Sequence, residues 1–194
     1  MTKDEKEKKI KRLRQQISRC ERCSLHKTRT NTVPGEGDVN ARILFIGEAP
    51  GRNEDLQGKP FVGRAGNVFD KLLSSVKLTR DQIYLCNILK CRPPDNRNPL
   101  PAEIKACIGS LDIQIKTVNP DVIGTLGSFA TAYIFEKFDL PAQKISAVHG
   151  KVFDVSTAFG PKRIVPLYHP AVATYNGGQL GVLLKDFGVF RKFI

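Results

Sequence analysis

A chain of 194 residues with 41% hydrophobic and 26% charged side chains has the make-up of a folded globular protein, which excludes an extended disordered segment. Its 31 Lys and Arg against 19 Asp and Glu leave a formal charge of +12. That surplus favours a polyanionic partner, because Lys and Arg contacts to phosphate release condensed counterions; a Lys-rich surface kept for solubility is the plainer alternative. No apolar run reaches the roughly 20 residues of a membrane-spanning helix. The opening MTKDEKEKKIKRLRQQ is too polar for a signal peptide. The expectation is a cytoplasmic, nucleoid-associated protein whose five cysteines do not build a disulfide framework.

Residues 1–19 read as a charged amphipathic helix with Ile10, Leu13 and Ile17 on one stripe. A Gly-, Pro- and Asn-rich loop, 30–39, leads into Ile43-Leu44-Phe45-Ile46-Gly47, an apolar run that suits a strand buried on both faces. Residues 48–66 form a long glycine-rich loop, and loops of such length in compact folds are usually functional. Val68, Phe69, Leu72, Leu73 and Val76 then mark a helix, and residues 83–89 a second strand. After a Pro-rich loop, 91–101, come a helix over 102–118, a strand over 121–126 and a helix over 128–138. Residues 144–155 resemble a hairpin turning at His149-Gly150; a fourth core strand covers 164–168, and a last helix spans about 179–190. Alternating strands and helices predict one α/β domain over 1–194: three layers, α/β/α, around a four-stranded, mainly parallel sheet.

In such folds ligands bind beyond the carboxyl ends of the strands. Three segments leave those ends: 48–51, 87–94 and 169–171. The cysteines supply a second constellation. Cys20 and Cys23 form a CxxC after the first helix, Cys91 and Cys107 make a wider pair, and Cys86 sits in a strand as core packing. Four thiolates so spaced point to a sulfur site holding zinc or an iron–sulfur cluster. A redox CxxC is the rival, but it expects a βαβ context that is missing here.

Several motifs, in this order, carry a resemblance: VPGEG at 33–37, GEAPG at 47–51, GKPFVGRAG at 58–66, NILKCRPPDNRNP at 87–99, EIKAC at 103–107 and HPA at 169–171. The sequence resembles the family 4 uracil-DNA glycosylases, the iron–sulfur branch of the uracil-DNA glycosylase superfamily. The resemblance implies a uracil-DNA glycosylase-like fold and a monofunctional enzyme that flips uracil out of DNA and hydrolyses its N-glycosidic bond. It implies a structural 4Fe-4S cluster on Cys20, Cys23, Cys91 and Cys107, which ties the N-terminal helix and the cysteine loop into the domain. The expected partner is uracil-containing DNA, single- or double-stranded, met by a monomer; contacts to a sliding clamp or repair protein are not readable.

Under that resemblance each candidate has a role. Phe61 stacks the flipped base, where its plainer reading is core packing. Asn87 reads the uracil edge: its amide accepts from N3–H and donates to O4, and cytosine would leave both groups unpaired. Asn also favours turns, which is the alternative. His169 donates to uracil O2 as negative charge develops, and a neutral imidazole suffices. His26 and His149 keep a structural-turn reading. Glu48 orients the attacking water or stabilises the sugar cation. Glu54 shapes the pocket near uracil C5, with Asp55 beside it unranked, and Gly47 contributes backbone to the base site. Arg64, Lys90, Arg92, Arg97 and the basic first helix are expected on phosphates. An apolar residue followed by Arg is expected after His169; this chain has Thr174-Tyr175 instead, which makes Tyr175 the candidate wedge. Two other readings are a zinc-dependent nucleic-acid-binding module without catalysis and a related glycosylase with wider base tolerance.

Overall fold

The computed structural model describes residues 1–194. In chain order the elements are α1 (Lys3–Ser18), β1 (Glu36–Gly37), β2 (Ile43–Gly47), α2 (Arg52–Gln57), α3 (Arg64–Ser75), β3 (Ile83–Asn87) and α4 (Pro101–Val118). They continue with β4 (Val122–Leu126), α5 (Ser128–Lys137), α6 (Ile145–Val148), β5 (Phe153–Thr157), β6 (Gly160–Leu167), α7 (Val172–Tyr175) and α8 (Gln179–Phe187). One sheet runs β1-β3-β2-β4-β6-β5. Its four inner strands are parallel, and β1 and β5 add to the edges antiparallel.

The inner strands form where apolar runs meet turn residues. Every residue of β2, β3 and β4 is buried, as parallel strands covered on both faces must be. One face packs on α1, α4 and α5 through Leu13, Ile17, Leu111, Ile115, Ile134 and Phe135. The other packs on α3 and α8 through an aromatic cluster, in which the Phe45 ring stacks on Phe187 at 5.5 Å and meets Phe69 edge-on at 5.2 Å. Thr2 opens α1: its side chain accepts from the Glu5 N–H, and the Glu5 carboxylate accepts from the Thr2 N–H. The three-layer arrangement and the four parallel strands are as the sequence implies.

Three expectations need correction. The sheet has six strands rather than four, because two short edge strands carry too little apolar pattern to read. β1 has only two residues, and β5 alternates half-buried with exposed positions. The hairpin does not turn at His149-Gly150. Residues 145–148 form the short helix α6, and the chain reverses at Thr157–Gly160, where the Thr157 hydroxyl donates to the Gly160 carbonyl and accepts from the Phe159 N–H. The 48–66 loop is not structureless: it contains α2, opened by Glu54, whose carboxylate accepts the Gly51 N–H at 3.1 Å.

Candidate active site

Strand order reverses direction between β2 and β4, and at such a point the loops leaving the strands diverge and open a crevice. There the chain forms a cavity with about 1130 Å³ of atom-free space, part of it open to solvent. Glu48, Asn87 and His169, from the three segments beyond the strand ends, all line it, with Phe61 and Tyr175. The parallel ladder persists past the strands: the Gly47 carbonyl accepts from Ile88 N–H at 2.9 Å and the Glu48 carbonyl from Leu89 N–H at 3.0 Å. Gly47 and Asn87 are register partners, which brings the two loops out side by side.

Asn87 is buried, and its Oδ1 is the one buried side-chain polar atom in the chain without a hydrogen-bond partner. Leaving a buried acceptor unpaired costs about 1–3 kcal/mol, so the amide is poised for a donor that the protein does not supply. Gly47 makes room for it. A methyl group there would collide with Asn87 Oδ1 and lie 2.8 Å from the Phe61 ring.

His169 follows β6 and lies half-buried over Gly127, at the start of α5. Its Nδ1 accepts the Ala171 N–H at 3.2 Å, so the proton of the neutral ring sits on Nε2. Burial pushes its pKa down to about 4, against a smaller upward pull from the Glu54 carboxylate. At neutral pH the ring is therefore an uncharged Nε2–H donor. It stacks on Phe61, with centroids 5.6 Å apart and planes at 27°.

Phe61 holds a left-handed backbone, φ 53°, which a bulky side chain rarely adopts. Three contacts impose it. Arg80 donates to the Pro60 and Phe61 carbonyls, while pairing with Asp70 at 2.7 Å. Glu54 accepts N–H groups of Val62 and Gly63 at 2.9 and 2.8 Å, besides Gly51. Gly66 has no Cβ, and one there would run into the Phe61 carbonyl.

The acidic residues separate by environment. Glu48 is half-buried, and burial raises its carboxyl pKa above the ordinary value. Glu54 spends both carboxylate oxygens on three backbone N–H groups, which makes it a clamp between the Gly51 turn and the Phe61 loop. Asp55 is buried and accepts from the Thr30 and Asn31 N–H groups, away from the cavity.

A second cavity, with about 330 Å³ of atom-free space, is lined by Cys20, Cys23, Cys91 and Cys107 together. All are free thiols, and Cys86 lies buried elsewhere in the core, as expected. Arg22 donates to Cys20 Sγ at 3.3 Å, Arg29 to Cys91 Sγ at 3.2 Å and the Lys90 N–H to Cys107 Sγ at 3.3 Å. Burial raises the Cys91 and Cys107 thiols; at Cys20 it is outweighed by Arg22, and that thiol is lowered. No three Cys, His, Asp or Glu side chains come close enough together to hold a single metal ion.

Comparison with known proteins fits this arrangement. The uracil DNA glycosylase superfamily model matches residues 34–192. A type-4 uracil-DNA glycosylase from Archaeoglobus fulgidus is 47% identical over 161 residues, 83% of this chain and 81% of the relative. One from Thermotoga maritima is 40% identical over 182 residues, 93% of this chain and 92% of the relative. The chain belongs to the type-4 uracil-DNA glycosylases. A type-5 uracil-DNA glycosylase from Pyrobaculum aerophilum is more distant, 29% identical over 165 residues, 77% of this chain and 70% of the relative.

On this type-4 chain the basic residues expected on DNA divide. Arg64 is exposed at the first turn of α3. Arg97 and Tyr175 line the cavity mouth, Arg97 fixed by a two-pronged pair to the buried Glu103 carboxylate. Arg92 is half-buried and donates to Asn96 Oδ1. Lys90 is a correction. It is 2% exposed, and its ammonium is enclosed by the Asn87 carbonyl and Gln114 Oε1, both at 2.6 Å, so it reaches no phosphate. Arg80 and Gln114, which hold Phe61 and Lys90, carry no sequence signal, because neither lies in a motif. No helix is long and apolar enough to cross a membrane.

Proposed function

We propose that this protein starts base excision repair by hydrolysing the N-glycosidic bond of uracil flipped out of DNA. It is a glycosidase of one uracil-DNA glycosylase-like domain, acting as a monomer in the cytoplasm and leaving an abasic site. The single observation that carries the reading is the convergence of an unpaired Asn87 amide, a neutral His169 Nε2–H donor and the raised Glu48 carboxyl on one cavity.

The base must leave the stack before it can react. In the cavity its face lies against Phe61, and Asn87 accepts from N3–H and donates to O4. Cytosine reverses both polarities, and mismatched buried polar groups give large discrimination. The Gly51–Glu54 clamp walls the C5 edge, where thymine carries a methyl. His169 Nε2–H faces O2 and stabilises the negative charge that accumulates as the C1′–N1 bond breaks. Glu48, made more basic by burial, orients a water toward C1′ and accepts its proton. The bond electrons leave with N1, and the water oxygen becomes the new hydroxyl at C1′.

At the rim of the cavity, Tyr175 is 82% exposed on α7, directly after the His169 turn, where a ring can enter the gap left by the flipped nucleotide. Arg64 and Arg92 supply phosphate contacts without reading sequence, beside an Arg97 already paired with Glu103; the lysines in the first turns of α1 pack near Val118 and Asp81, at the opposite ends of the strands.

The four-thiol cavity fits a 4Fe-4S cluster. The thiols are free, all four line one space, and N–H donors from Arg22, Arg29 and Lys90 point at three of the sulfurs. Held by Cys20, Cys23, Cys91 and Cys107, such a cluster would supply structural cross-linking, because hydrolysis moves no electron. The reaction is tested by incubating the protein with a duplex holding one uracil and then treating with alkali. Cleavage at uracil, with none at cytosine or thymine, supports the reading; an uncut strand refutes it, and equal cutting at hypoxanthine moves it to the wider-tolerance alternative.

A further inference from the structure

Lys90 is a buried cation whose two acceptors, the Asn87 carbonyl and Gln114 Oε1, are both neutral. Removing a lysine from water is expensive, and a lysine kept so deep with no carboxylate partner, beside only the Cys86 and Cys107 thiols, needs a further reason. The peptide it touches provides one. The group joining Asn87 to Ile88 is held from both sides: its carbonyl accepts from Lys90 Nζ at 2.6 Å, and its N–H donates to the Gly47 carbonyl at 2.9 Å. With that plane fixed, the Asn87 backbone has little freedom, and the amide is carried on a fixed anchor.

The other end of the clamp is equally anchored. Gln114, buried on α4, accepts from Lys90 and donates to the Pro34 carbonyl at 2.6 Å. The Lys90 main chain is also taken up: its carbonyl accepts the Val33 N–H at 2.7 Å, and its N–H donates to Cys107 Sγ. One residue thus joins the base-reading amide to α4 and to the rim of the thiol cavity.

We infer that Lys90, braced by Gln114, is a positioning residue that sets the direction of the Asn87 amide and so the preference for uracil over cytosine. The inference rests on the reading of Asn87 as the base reader. Lys90 touches no substrate atom and acts only through the Asn87 peptide. Methionine at 90 keeps the length and loses the donor; arginine keeps the donors but overfills the space.

The test uses the purified, cofactor-loaded protein and two readouts: inhibition by free uracil, and the ratio of uracil to cytosine excision. Lys90→Met is expected to weaken uracil inhibition by about tenfold, the scale of one charge-assisted hydrogen bond. It should narrow the excision ratio similarly, with the iron content and visible absorbance per chain unchanged. In an Asn87→Ala background the same substitution should change neither readout further, since coupled residues are non-additive. Wild-type inhibition and ratio in folded Lys90→Met protein would overturn the inference, as would an equal effect in the Asn87→Ala background, the mark of a purely structural role. Should Lys90→Met not fold, Gln114→Leu applies the same test from the other end, and wild-type values there overturn it. If Asn87→Ala alone leaves inhibition and ratio unchanged, the underlying reading of Asn87 has failed instead.

Discussion

The imidazole of His169 lies over the ring of Phe61, 5.6 Å away and 27° from parallel, while its Nδ1 is occupied by the Ala171 N–H. One neighbour fixes the plane of the ring and the other fixes its tautomer, so the free Nε2–H is delivered in one direction without reorganisation during the reaction.

His169→Ala should therefore slow single-turnover uracil excision by about 10²–10³-fold, the usual cost of one preorganised donor. Because the folded pKa is about 4 against about 6.5 in an unfolded chain, the unfolded state binds more protons between those values. The contribution of His169 to stability is whole above about pH 6.5 and declines as pH falls toward 4. Denaturation midpoints of wild type and variant across that window should converge at the acid end, and a rate profile of the wild type should show no inflection near 6.5.

Glu48 carries the opposite sign. Its folded pKa is raised, so the folded state holds the proton to higher pH, and stability falls as pH climbs through that raised value. At neutral pH the buried charge is a cost. Glu48→Gln should raise Tm, by about 2–4 °C for each kcal/mol relieved in a chain of this size, while excision nearly ceases. The acid limb of the wild-type rate profile should lie above the ordinary glutamate range and vanish in the variant.

Tyr175 makes a cleaner separation, because an exposed side chain carries little fold energy. Tyr175→Ala should leave Tm within a degree or two and weaken action on duplex DNA several-fold, with a smaller effect on single strands. Base–aromatic stacking is worth about 1–3 kcal/mol, which sets the ceiling of the loss. Equal losses on both substrates would assign Tyr175 to the pocket instead of the gap.

With the proposed cluster on Cys20, Cys23, Cys91 and Cys107, Cys91→Ser should lower bound iron, visible absorbance and Tm together, since the thiol cavity joins the end of α1, the turn after Asn87 and α4. Retained iron and an unchanged Tm would remove Cys91 from the ligand set.

The sequence made two strand ends legible because apolar runs stop abruptly at Gly47 and at His169-Pro170, and parallel topology sends those ends to one side; at β3 the buried apolar run continues through Ile88 and Leu89, so the strand read over 83–89 in fact ends at Asn87. What it hid depends on partners distant in the chain. Lys90 looks like a phosphate anchor in a basic motif, yet Gln114, 24 residues on, encloses it. Glu54 and Asp55 are neighbours in a polar stretch, and only the fold turns one toward the Phe61 loop and the other toward Thr30. The left-handed backbone of Phe61 has no local signal, since Arg80 and the missing Cβ of Gly66 impose it. The edge strands leave no trace in the sequence for a different reason: they are too short or too exposed to show a pattern.

The central claim is that water, oriented by Glu48, attacks C1′ while His169 and Asn87 hold the departing base. Single-turnover excision in water enriched with heavy oxygen, followed by mass analysis of both products, tests it most directly. The account predicts heavy oxygen at C1′ of an intact abasic strand and unlabelled free uracil. Label in the uracil, or strand cleavage without alkali through a lysine adduct, would contradict it.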